Sequence, residues 1–96
     1  MLVDDVKHQI RVASSHAPIT QEVQDLIDSA RQDLITAGVT SDMAQADDDN
    51  IDPLIKRAIV TYCKAHFGID NPQGERFEKA YNSLKHHLSL VGDYNG

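Results

Sequence analysis

Apolar positions return every three or four residues in several segments of this chain, with polar positions on the opposite side, which is the signature of amphipathic helices. The clearest segment is 50–67, NIDPLIKRAIVTYCKAHF. Ile51, Leu54, Ile55, Ala58, Ile59, Tyr62, Cys63 and Phe67 share one face of it, and Lys56, Arg57, Thr61 and Lys64 lie across from them. Asp52 suits the N-cap, because its carboxylate can accept from unpaired first-turn N–H groups, and Pro53 is pre-set for the first helical position. Gly68 is the expected stop. Start, stripe and stop together predict a helix over 52–67, around which the remaining segments pack.

Three further stripes flank it. Leu2, Val3, Val6 and Ile10, with Ala13 beyond, predict a short helix over 2–12, with Asp4 and Asp5 favourably placed in its first turn. SSHAP interrupts the pattern, and Pro18 disfavours helical geometry at Ala17. From Thr20, a candidate cap, Val23, Leu26, Ile27, Ala30, Leu34 and Ala37 predict a helix over 20–37 that stops at Gly38. Its outer face carries Gln24, Asp28, Arg31, Gln32 and Asp33. Residues 39–50, VTSDMAQADDDN, show no period and read as a mobile acidic loop. Asn71-Pro72 can open a last helix over 73–90 that turns Phe77, Ala80, Tyr81, Leu84, Leu88 and Val91 inward. The predicted architecture is all-α: a small bundle of about four helices in a single domain spanning 1–96.

At 96 residues the chain can bury one modest core. It has no Trp and few aromatics, its apolar runs are too short for a membrane span, and its start lacks the basic and apolar regions of a secretory signal. A cytosolic origin is expected. The net charge of −6 is uneven, with ten acidic and three basic side chains in residues 1–50 against five and six in residues 51–96. Such a chain repels a phosphate backbone, so general nucleic-acid binding is disfavoured. The same asymmetry suits an acidic surface on one copy facing a mildly basic surface on the next.

Candidate chemistry is sparse. Cys63 is the only cysteine, so no internal disulfide forms, and its place on the apolar face reads as a core thiol. Asp47, Asp48, Asp49 and Asp52 resemble a calcium loop in charge alone: counted from Asp47, the positions that need Gly and Glu hold Asp52 and Ala58. His86 and His87 point about 100° apart on a helix and cannot chelate one ion together. His66 suits a helix C-terminus, whereas His8 and His16 have no evident partners. Ser14, Ser15 and His16 are sequence neighbours without an oxyanion hole, and no phosphate-binding glycine motif is present. No enzyme, metal or cofactor is expected. A helix-turn-helix reading would place its recognition cations on the packing helix.

The blocks LVDDVKHQIRV at 2–12, DPLIKRAIVTYCKAHFG at 52–68 and NPQGERFEKAYNSLKHHLSLVGDY at 71–94 together resemble the head–tail connector, or adaptor, proteins of tailed bacteriophages, also described as head-completion or DNA-packaging proteins. Their order, spacing and total length carry the likeness. The chain departs from the pattern after His66, where many relatives continue into a longer hairpin and Phe67-Gly68 turns at once. The resemblance implies a helical protomer of a ring beneath the portal vertex. That ring extends the DNA channel, lets DNA pass without specific binding, and presents a docking surface for the next connector or tail protein. It implies a virion component assembled in the bacterial host cytoplasm, with no active site and no membrane. Within that reading, Lys56, Arg57 and Lys64 are expected to meet the acidic side of an adjacent copy, which offers Asp28 and Asp33, while Tyr94 lies in a docking tail. The alternative is a small helical regulator of prophage origin that binds protein or DNA.

Overall fold

The computed structural model describes residues 2, 6, 17–46, 50–67 and 73–91. Every element among them is helical: α1 (Ala17–Thr36), the short α2 (Ser41–Ala44), α3 (Pro53–His66) and α4 (Gly74–Leu90). The all-α prediction therefore holds. Of the helix expected at 2–12, Leu2 and Val6 are described; both are helical and both are buried. The rest of that segment lies outside the described residues.

α1 begins three residues before the cap the sequence suggests. Pro18 sits in the first turn, where a missing N–H removes no intrahelical bond, so the residue that reads as a breaker is an acceptable starter. Thr20 is consequently inside the helix rather than its cap. The far end follows the prediction closely. Gly38 takes φ +113°, its N–H donates to Ile35 O at 3.0 Å, and Val39 N–H donates to Leu34 O at 3.0 Å. This paired arrangement satisfies two of the last carbonyls and turns Val39 into the core.

Where the sequence shows no period, the described part of 39–50 is ordered around two apolar anchors. Val39 and Ala44 are buried, and Thr40 caps α2 by accepting from Met43 N–H at 3.4 Å. Arg31 reaches across from α1 and donates to Ala46 O at 3.1 Å. Four residues are too few to display a helical repeat, which is why the segment reads as loop. Asp47, Asp48 and Asp49 lie outside the described residues.

α3 starts as predicted. Asp52 Oδ1 accepts from Leu54 N–H at 2.8 Å, and Pro53 stands at the first position. Phe67 N–H closes the last turn on Cys63 O at 2.9 Å, while Gly68 is outside the described residues. α4 has no side-chain cap; Gln73 serves through its carbonyl, which accepts from Phe77 N–H at 3.1 Å.

α3 packs on both α1 and α4 and forms the centre of the core. It contributes Ile55, Ala58, Ile59 and Cys63, each 0 % exposed, against Val23, Ile27, Ala30 and Leu34 of α1 and Tyr81 and Leu88 of α4. Burying one such branched aliphatic contributes about 1.5–3 kcal/mol, so this seam is what chiefly holds the helices together.

Candidate docking surface

The side of α3 away from its buried stripe is basic, and its spacing follows from the same helix. Residues 53, 56, 57, 60, 61 and 64 recur at three- and four-residue steps, so Pro53, Lys56, Arg57, Val60, Thr61 and Lys64 share one face. In the fold this face meets Phe77, Ala80, Ser83 and Leu84 of α4 along an open groove of about 750 Å³. Val60, Phe77 and Leu84 are half-buried and give it an apolar floor, whereas Arg57 and Ala80 are exposed. Lys64 Nζ lies 5.5 Å and the Arg76 guanidinium 5.6 Å from the Phe77 ring centre, within cation–π range. The groove therefore combines an apolar base with a cationic rim.

The apolar stripe of α4 places Phe77 and Ala80 in the core with Tyr81, Leu84 and Leu88. The helix is instead rotated so that Tyr81 and Leu88 are buried and Leu84 packs half-buried against the core, while Phe77 and Ala80 fall along the edge of α3. A polar contact helps set that rotation. Tyr81, 2 % exposed, donates from its hydroxyl to Asp33 Oδ2 of α1 at 2.6 Å, and Lys85 donates to the same oxygen at 3.1 Å. The Tyr62 ring packs edge-on against Tyr81 at 5.0 Å and lies 4.4 Å from His66. Nothing in the periodicity of α4 signals that position 81 needs a carboxylate 48 residues earlier.

This cluster shifts the ionisation of its members. Burial works to raise the Asp33 carboxyl, but hydrogen bonds from Tyr81 and Lys85, with the charges of Lys85 and His66, outweigh it and hold the group below its ordinary value. Burial, then the hydrogen bond to Asp33 and its negative charge, push the Tyr81 phenol well above its usual range. Burial followed by the Asp33 charge raises Tyr62 as well. Away from the cluster, burial alone pushes the Cys63 thiol up to about 12.

The structure sorts the residues singled out by sequence as follows. Lys56, Arg57 and Lys64 come together on the groove. Asp28 lies exposed on the outer side of α1, beside Gln21, Glu22 and Asp25. Asp33, on the same helix, is turned toward α4 and engaged within the chain. Arg31, assigned to the outer face, is likewise half-buried in its contact with Ala46. Tyr94 lies outside the described residues. Val60 and Phe77, the apolar floor, are what sequence reasoning missed as surface. Among the described residues no group of three or more His, Cys, Asp or Glu is placed to hold a metal ion, and no helix is long and apolar enough to cross a membrane.

Fold and groove together define a small all-α protein with a cation-rimmed channel open on its surface. Its family follows from comparison: a family model described as phage connector protein matches residues 2–95. The chain belongs to that family. It is accordingly a bacteriophage head–tail connector protein, a virion component that interacts with other head or tail proteins, in agreement with the resemblance carried by residues 2–12, 52–68 and 71–94. No curated protein and no solved structure matches it.

Proposed function

We propose that the protein is a structural head-completion adaptor: copies close into a ring under the portal, extend the DNA channel, and present the docking surface for the next connector or tail protein. The observation that carries this reading is the family match, which leaves out only the first and last of 96 residues. Charge supports it. Apart from Asp33 and Lys85, which pair with each other, and Arg31, which is held by Ala46 O, α1 contains Glu22, Asp25 and Asp28, whereas α3 and α4 contain Lys56, Arg57, Lys64, Arg76 and Lys79 against Glu75 and Glu78. A chain with one acidic and one basic surface can bind its own copies head to tail, and such contacts form a ring when the rotation closes. The overall charge of −6 favours DNA passing through the ring without adhering. The work of such a protein is geometric, and the proposal assigns it no chemistry.

Electron microscopy of the purified protein, alone and mixed with its portal, tests this. Annular particles, or an added ring on the portal, are expected. A protein that stays monomeric and leaves the portal unchanged would contradict it.

A further inference from the structure

We infer that the groove between α3 and α4 is the seat for the acidic outer side of α1 from the neighbouring copy; this rests on the ring reading above and names the contact that builds it. Among the described side chains of α1, the exposed ones, Gln21, Glu22, Asp25, Asp28, Ser29, Gln32 and Thr36, form one band within about a third of the helix circumference at 100° per residue. Its buried stripe faces the other way.

Spacing and charge match the groove. Glu22 to Asp28 spans about 9 Å of helix, and Lys56 to Lys64 about 12 Å, at 1.5 Å per residue. Three carboxylates thus lie over nearly the same length as Lys56, Arg57 and Lys64. The carboxylates are also held in place. Gln21 donates to Asp25 Oδ1 at 2.8 Å and Gln24 to Asp28 Oδ1 at 3.0 Å, which orients each group while a carboxylate retains capacity for further donors. Opposed charge carries the choice of occupant. The exposed apolar side chain at the end of α4, Leu90 at 68 %, sits beside His86 and His87 and offers the groove no carboxylate. The apolar floor of Val60, Phe77 and Leu84 then takes the methylene stems of Glu22 and the glutamines. Because groove and band lie on different faces of one chain, the contact is heterologous and repeats from copy to copy.

Complementary charge reversal provides the test, with assembly followed by mass photometry in the presence and absence of portal and folding checked by circular dichroism. Lys56→Glu/Arg57→Glu and Asp25→Lys/Asp28→Lys are each expected to raise the concentration needed for assembly by roughly tenfold or more, as exposed ion pairs turn repulsive. Mixing the two variants is expected to restore assembly, because the lysine-bearing band of one can seat in the glutamate-bearing groove of the other and the two unaltered surfaces can pair as in the wild type. Rings that form normally from either single variant, or a mixture that fails while both parents remain folded, would overturn the groove–α1 contact and leave the ring reading standing. A wild-type chain that is monomeric with and without portal would overturn both.

Discussion

Tyr81 shows how one side chain helps determine what a whole helix presents. Its phenol is buried and donates to a carboxylate from another helix, which helps set the side of α4 that faces inward and leaves Phe77 and Ala80 at the edge. A hydrogen bond to a charged acceptor contributes about 1.5–3 kcal/mol, and the partial exposure of Asp33 puts this one near the lower end. Tyr81→Phe is therefore expected to lower unfolding free energy by about 1–2 kcal/mol in urea titration, with α-helical content unchanged. The pH dependence follows from the same pair. Asp33 has a lowered pKa, so its contribution is complete above the unfolded carboxyl value of about 3.9 and is lost as pH falls through the lower folded value. Tyr81 has a raised pKa, so its contribution is complete below its ordinary 10.0 and is lost as pH rises beyond it. Stability measured across pH should thus be flat near neutrality and fall at both extremes, and Tyr81→Phe should flatten the alkaline limb. Cys63 provides an independent check on the core. It is 0 % exposed with its thiol pushed up to about 12, so a thiol reagent at a pH of about 8 should modify it only after denaturant is added. Rapid labelling of the native protein would contradict the packing described.

Elements whose ends carry their own signals are legible in the sequence, and those held by distant contacts are not. Asp52-Pro53 starts α3, and Gly38 stops α1, because capping is local chemistry between neighbours. Ala17-Pro18 misleads because the same residue type breaks a helix interior and suits a first turn. α2 escapes detection because four residues carry no period. The apolar stripe of α3 matches the core seam almost residue for residue, yet the companion stripe of α4 is only half right, since Ala80 and Phe77 satisfy the spacing while Asp33 helps set the rotation. The candidate surface is similarly divided: its cations are visible as the polar side of α3, whereas of its apolar floor Phe77 and Leu84 are expected inside and Val60 belongs to no predicted stripe. Two substitutions test the local signals. Gly38→Ala meets no neighbouring atom but forces a Cβ onto φ +113°, so a loss of about 1–2 kcal/mol is expected from backbone strain alone. Asp52→Ala should cost about 1 kcal/mol by leaving the Leu54 N–H without its side-chain acceptor. Both are read by thermal or urea unfolding, and an unchanged midpoint would remove the corresponding cap from the account.

At the scale of the molecule, α1, α3 and α4 turn their apolar faces to one core, and among the described residues the outer band of α1 is acidic while the α3–α4 groove is rimmed by cations. The proposed ring would bring these two surfaces together between neighbouring copies. An interface held by exposed ion pairs weakens with salt, because the screening length falls from about 10 Å at 0.1 M to about 3 Å at 1 M. Ring formation is accordingly expected to shift to higher protein concentration as sodium chloride is raised over that range, as seen by sedimentation velocity; insensitivity to salt would argue for a chiefly apolar contact. The central claim, that assembly takes place through the α3–α4 groove, is addressed most directly by hydroxyl-radical footprinting of Phe77 in the free and the assembled protein. Half-exposed on the groove floor in the single chain, Phe77 should become strongly protected on assembly, with Leu90 as the unprotected reference. Equal labelling of Phe77 in both states would show that the groove stays open to solvent and that the copies meet elsewhere.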